Sequence, residues 1–129
     1  MAAKRKILII DDEEYFGKLA KKNLELLGNL EVDTTTDGIE GINLAKEKKP
    51  DLILLDIMMP GIDGFEVLKR LKADSETVKI PVIMLSAKED EESKIKAAQL
   101  YDELYLTKPI ESEKLKAKIE SVFEIRGIK

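Results

Sequence analysis

Leu52-Ile53-Leu54-Leu55-Asp56 is an aliphatic run that stops at a carboxylate, and Ile57-Met58-Met59-Pro60-Gly61 carries it into a turn. A short, unbroken apolar run between breakers predicts a strand covered on both faces, as in a parallel sheet. Ligands of open α/β sheets gather beyond the carboxyl ends of the strands, so Asp56 stands where chemistry is done rather than where side chains pack. Other runs repeat the form. Ile7-Leu8-Ile9-Ile10 stops at Asp11 and Asp12, Ile80-Pro81-Val82-Ile83-Met84-Leu85 stops at Ser86, and Leu104-Tyr105-Leu106 leads to Thr107-Lys108. Leu30 to Thr34 alternates weakly and predicts an edge strand.

Between the strands, apolar residues recur at helical spacing. Phe16, Leu19, Ala20, Leu24 and Leu27 predict a helix from Glu13 that Gly28 ends. Ile39, Ile42 and Ala45 predict a second, over Gly38 to Lys48, capped by Asp37 and ended by Lys48-Lys49-Pro50. Phe65, Val67, Leu68 and Leu71 mark a third after the Gly61-Ile62-Asp63-Gly64 turn, and Ala73 to Lys79 is a polar connection. Lys88 to Ser93 is a charged loop or helix start, Ile95 to Leu100 a short helix, and Ile110 to Ile125 the last helix. Strand and helix alternate five times, which implies right-handed crossovers and a parallel sheet with helices on both faces.

The 129 residues show no composition break or linker, so a single domain with no output domain is expected. A net charge of -4 leaves no basic footprint, and no direct contact with nucleic acid is expected. The basic start, Met1 to Lys6, is followed by only four apolar residues, too few for a signal peptide, and no run approaches membrane-spanning length. A cytoplasmic protein without membrane insertion is expected. The chain has no Cys and no His, which removes disulfides, thiol nucleophiles, imidazole bases and the usual zinc ligands. Its chemistry must use carboxylates, hydroxyls and lysines.

In a parallel sheet Asp11, Asp12, Asp56, Ser86 and Lys108 all reach one edge. Taken singly, the acid pair is an ordinary helix start, Ser86 an N-cap and Lys108 a solvated loop lysine. Together they form a charge problem: acids a few Å apart repel by roughly 4 kcal/mol per pair at an effective dielectric of about 20. Oxygen-only ligands favour a hard cation, Mg²⁺ or Mn²⁺, with phosphate as co-ligand. Lys108 adds a positive charge and Ser86 a hydroxyl for a phosphoryl oxygen, an inventory suited to phosphoryl transfer with Asp56 as the nucleophile.

Asp11-Asp12, the run Asp56 to Gly64, Ser86-Ala87 and Thr107-Lys108-Pro109 resemble, in order and spacing across essentially the whole chain, the receiver domain of two-component response regulators. The resemblance implies a flavodoxin-like (βα)5 fold, a three-layer sandwich around a five-stranded parallel sheet of order 2-1-3-4-5. It implies that Asp56 accepts a phosphoryl group from the histidine of a partner kinase or histidine phosphotransfer protein, with Mg²⁺ held by Asp12, Asp56, the Met58 main-chain carbonyl and, usually through water, Asp11. By the same resemblance Lys108 pairs with the phosphoryl group, Ser86 moves to hydrogen-bond it and Tyr105 is the switch aromatic. Met58 and Lys88 flank the attacking water and tune dephosphorylation, and Lys108-Pro109 matches a cis bond. Leu100 to Leu104 lacks the glycine that relatives commonly place there, so the output face beside the last strand is not carried over.

Three functions stay open on the residues. One is a single-domain regulator whose phosphorylation switches a surface for a downstream protein target. Another is a phosphorelay carrier. The third is a Mg²⁺-dependent aspartyl-phosphate hydrolase, against which Met58 counts, because such enzymes commonly want an acid two residues after the nucleophile.

Overall fold

The aliphatic runs are unbroken because each strand must satisfy two cores at once. The computed structural model describes residues 4–86 and 104–127. In chain order the elements are β1 (Arg5–Ile10), α1 (Glu14–Leu27), β2 (Leu30–Thr35), α2 (Gly38–Lys48), β3 (Leu52–Asp56), α3 (Gly64–Lys72), β4 (Val82–Ser86), β5 (Leu104–Thr107) and α4 (Ser112–Arg126). All strand pairs are parallel and the order is β2-β1-β3-β4-β5, the flavodoxin-like arrangement expected.

Alternate residues of each strand serve opposite layers. Leu8, Ile10, Ile53 and Leu55 pack with Ile42, Val67, Leu68 and Leu71 of α2 and α3. Ile7, Ile9, Leu52 and Leu54 pack with Leu24 of α1 and Leu115, Ile119 and Phe123 of α4. Truncating any one of these aliphatics to Ala removes about 2–5 kcal/mol. All five residues of β3 are buried, as are those of β4, so the strand that carries Asp56 lies in the fully covered centre of the sheet.

Some helical faces differ from the periodicity. In α1 the buried residues are Gly17, Ala20 and Leu24, while Leu19 and Leu27 are exposed. Small residues bring this helix close to the sheet, and the larger leucines flank the contact instead of filling it. In α2, Ile39 is 43% exposed and Gly41 takes the inner position. A Cβ on Gly41 would lie 2.5 Å from Ile10 Cδ1, so the missing side chain is what lets α2 sit on β1. β4 begins at Val82 rather than Ile80, although the Pro81 carbonyl still accepts from the Ile53 N–H at 3.0 Å. The last helix starts at Ser112, two residues later than its apolar pattern suggests. Asp37 caps α2 as expected, accepting from the Glu40 N–H at 2.8 Å. The expected Lys88 to Ser93 segment and Ile95 to Leu100 helix lie outside the described residues.

The middle of the free edge of β2 is covered by side chains. The Asn29 and Thr35 carbonyls accept from Arg5 and Asp11, so odd-numbered residues face β1 and Val32 turns its N–H and C=O outward. Lys21 Nζ donates to the Val32 carbonyl at 2.6 Å, and Glu25 Oε2 accepts from the Val32 N–H at 3.0 Å. The Lys21 and Glu25 side chains join each other at 3.1 Å. Replacing both by Met and Leu is expected to cost about 1–2 kcal/mol and to leave an edge open to pairing. Chemical denaturation measures the first effect and sedimentation at rising concentration the second.

Candidate functional site

β1 and β3 are neighbours, and both end in acids. Carboxylate oxygens of Asp11, Asp12 and Asp56 lie within 4.8 Å of one another. Asp11 is 1% and Asp56 5% exposed, whereas Asp12 faces solvent. Lys108, beyond the end of β5, reaches back across the sheet edge with its side chain only 14% exposed. Its ammonium is 2.6 Å from Asp11 Oδ2, 2.7 Å from Glu13 Oε1 and 3.9 Å from Asp56 Oδ1. The Phe16 ring lies under it, 4.5 Å from Nζ to the ring centre.

The chain path explains this convergence. The Lys108 N–H donates to the Ser86 carbonyl at 2.8 Å, and the Ile57 N–H to the Leu85 carbonyl at 2.9 Å, so the exits of β3, β4 and β5 are pinned side by side. Lys108-Pro109 is cis, as the resemblance implies. After Asp56 the chain doubles back, and the Gly64 N–H donates to the Ile57 carbonyl at 2.8 Å. A Cβ on Gly64 would lie 2.3 Å from the Asp56 carbonyl oxygen, so only glycine lets α3 start this close to the acid. Asp63 caps that helix through the Glu66 N–H at 2.9 Å.

Three carboxylates, those of Asp11, Glu13 and Asp56, stand within 3.9 Å of one ammonium, and Asp12 adds a fourth acid beside Asp11 and Asp56. Burial pushes the Asp56 carboxyl up to about 8, and the neighbouring Asp11 charge and a hydrogen bond with Asp12 add to the rise. Asp11 is raised as well, again chiefly by burial, although its hydrogen bonds to Lys108 and the Glu13 N–H pull the other way. For Lys108, burial favours the neutral amine, but Asp11 and Glu13 overcome it and the group stays above its ordinary value. The acids are therefore short of positive charge. A donor set of carboxylates alone, with one acid holding its proton for want of a countercharge, fits a hard divalent cation.

Ser86 is buried at the end of β4, and its Oγ has no hydrogen-bond partner among the described residues. Met58 follows Asp56 on the turn and is 61% exposed. The Tyr105 backbone pairs with Met84 in the sheet, but its side chain, like all of Lys88, lies outside the described residues. The structure thus brings Asp11, Asp12, Asp56 and Lys108 together and puts Ser86 on the adjacent strand end. Two residues not foreseen as site residues join them. Glu13 reads in the sequence as a helix start and Phe16 as a core residue; both are partners of Lys108. No spacing rule separates an N-cap glutamate from one turned toward a distant lysine.

The model of the response regulator receiver domain matches residues 7–120. The chain belongs to the response regulator receiver family. This receiver is 42% identical over 117 residues to the DNA-binding dual master transcriptional regulator RpaA of Synechocystis, covering 91% of this chain and 48% of the relative. It is 41% identical to the phosphate regulon transcriptional regulatory protein PhoB of Pseudomonas aeruginosa, covering 94% of this chain and 52% of that protein. It spans about half the length of these curated relatives. Among solved structures, the Francisella response regulator 1452 receiver domain superposes with a TM-score of 0.83 at 30% identity, covering 94% of this chain and 98% of that one. The Vibrio cholerae chemotaxis protein CheY4 does so with 0.84 at 29% identity, covering 93% and 99%. Receiver domains bind Mg²⁺ at an acidic pocket, and Asp11, Asp12 and Asp56 form such a pocket here. No helix among the described residues is long and apolar enough to cross a membrane.

Proposed function

We propose that this receiver accepts a phosphoryl group on Asp56 from the histidine of a partner kinase or phosphotransfer protein, and that the phosphorylated form presents a changed surface to a downstream protein. The observation that carries the reading is Lys108 Nζ, 3.9 Å from Asp56 Oδ1 inside a pocket of acids. An Asp56 oxygen forms the new P–O bond while the P–N bond to the donor imidazole breaks, and the imidazole keeps the electron pair and takes a proton. Phosphoryl transfer asks the protein mainly for positioning and charge neutralisation. Lys108 supplies fixed positive charge, with the Phe16 ring limiting its swing toward solvent. Asp12, Asp56, the Met58 carbonyl and Asp11 would hold Mg²⁺, which when bound offsets charge on the acids and on the transferring oxygens.

Ser86 is the first responder. A buried hydroxyl without a partner among the described residues gains a hydrogen bond if it turns to a phosphoryl oxygen, worth about 1.5–3 kcal/mol against a charged acceptor. Tyr105, on the adjacent strand, is read as the side chain that follows. Shifting a two-state surface from about 1:99 to 99:1 needs roughly 5.5 kcal/mol, which a new hydrogen bond and a desolvated charge pair together can supply. The net charge of -4 favours protein partners over nucleic acid.

Incubation with acetyl phosphate and Mg²⁺, followed by intact-mass measurement, tests the reading. One phosphoryl group per chain, absent in Asp56→Asn, is the expected result. Multiple turnovers on a phosphate ester would instead identify a hydrolase, for which Met58 occupies the place of the needed second acid.

Phosphate on this receiver is expected to be long-lived. Exposed Met58 beside Asp56 offers no polar group to orient an attacking water, and Lys88 is the second residue assigned to tuning that step. Met58→Asn is expected to speed phosphate loss roughly tenfold, equivalent to ~1.4 kcal/mol of barrier. A time course of mass loss checks this, and very rapid loss from the wild type contradicts it.

A further inference from the structure

We propose that Glu13 is a positioning residue for phosphorylation, holding the Lys108 ammonium away from Asp56 and competing with the incoming phosphoryl oxygens for it. The inference rests on the phosphoacceptor reading and adds a resting-state restraint to it.

Lys108 is asymmetrically held. Its two short contacts, 2.6 Å to Asp11 and 2.7 Å to Glu13, come from the end of β1 and the start of α1, while Asp56 is left at 3.9 Å. The Phe16 ring supports the lysine from the same segment. The Asp11 and Glu13 contacts differ in what phosphorylation does to them. Asp11 belongs to the three acids gathered within 4.8 Å as a candidate cation site, so its charge can be answered there. Glu13 stands outside that group, and its side chain is 63% exposed. Its charge remains available to Lys108 whenever the acid pocket is filled.

The geometry at the helix start leaves Glu13 free for this task. Glu13 is the N-cap residue of α1, yet its side chain makes no cap hydrogen bond. The cap function falls in part to Asp11, whose Oδ1 accepts from the Glu13 N–H at 2.9 Å. A residue whose usual local bond is unused, and whose carboxylate instead reaches a lysine ninety-five positions away, is arranged by the tertiary fold. The outcome is a lysine that must give up an anionic partner before it serves a phosphoryl group. Such a partner slows phosphorylation at low donor and is outcompeted at high donor.

The test compares wild type, Glu13→Gln and Glu14→Gln for the rate of labelling at Asp56 by acetyl phosphate with saturating Mg²⁺. Glu14 carries the same charge one residue away, is exposed and pairs with Lys18 at 2.8 Å, so it reports the effect of charge without the Lys108 contact. Exposed ion pairs limit the effect to about fivefold. Glu13→Gln is expected to label up to about fivefold faster below donor saturation, with a lower half-saturating donor concentration and little change in the maximal rate. Glu14→Gln is expected to stay near wild type. An unchanged or slower Glu13→Gln, or an equal acceleration by Glu14→Gln, overturns the assignment while leaving the phosphoacceptor reading intact. A wild type that takes no phosphate at Asp56 overturns both.

Discussion

Asp56→Asn is expected to stabilise the metal-free receiver at about pH 9 by on the order of 3 kcal/mol, and to leave it near wild type below about pH 4. The Asp56 carboxyl titrates near 8 in the folded chain, against about 3.9 when unfolded. The folded state therefore binds a proton that the unfolded state releases, and stability falls as pH rises through that window. The contribution is complete below about pH 4 and lost above about pH 8. Asp11, raised in the same direction, adds to the slope. Asparagine, close to the protonated acid in shape, removes the Asp56 share. The chain contains no histidine, so no imidazole titrates across the window and the cluster can be read directly. Urea denaturation at several pH values, with chelator present, gives the result. A wild-type stability that is flat or rises from about pH 5 to about pH 9 contradicts the geometry of the pocket.

Lys108→Met removes the only ammonium shown in contact with Asp11 and Asp56 among the described residues. Breaking a buried charge pair costs about 3–5 kcal/mol, and the remaining exposure of Lys108 brings the expected loss to about 2–4 kcal/mol. Phosphoryl uptake is expected to fall about 10²- to 10³-fold, the usual consequence of deleting one fixed group that answers transition-state charge. The two losses separate with Mg²⁺, because a cation in the acid pocket answers the carboxylates that Lys108 leaves behind. Saturating Mg²⁺ should therefore raise the melting temperature of Lys108→Met more than that of wild type, while the rate of uptake stays low. Thermal melts with and without Mg²⁺, paired with labelling by acetyl phosphate, distinguish these outcomes. Uptake at the wild-type rate would remove Lys108 from the reaction.

The layers were legible because the strands are extreme cases, whereas the strand order came only with the resemblance to receiver domains. Leu52 to Leu55 and Ile7 to Ile10 have no polar residue on either face, which leaves them no place except between two layers. The same runs pointed to Asp11, Asp12 and Asp56, since an acid ending a doubly buried strand emerges at the ligand edge. Helical faces were less legible. Periodicity counts side chains and is blind to glycine, so it placed Leu19 and Ile39 inward where Gly17 and Gly41 make the contact. Two kinds of partner left no mark in the sequence. Glu13 on Lys108, and Lys21 with Glu25 on the β2 edge, are ordinary charged residues at ordinary helical positions. Only the fold decides what lies within reach of a long side chain.

On the phosphoacceptor reading, the acid at the end of β3 takes phosphate because Lys108 and a hard cation offset its neighbours. Reductive trapping tests it most directly. Protein treated with acetyl phosphate and Mg²⁺, then with borohydride, should carry homoserine at position 56 on peptide mapping, in wild type but not in a chelator-treated sample. Homoserine at another acid, phosphate retained on the Ser86 hydroxyl, or equal trapping without Mg²⁺ would contradict the account.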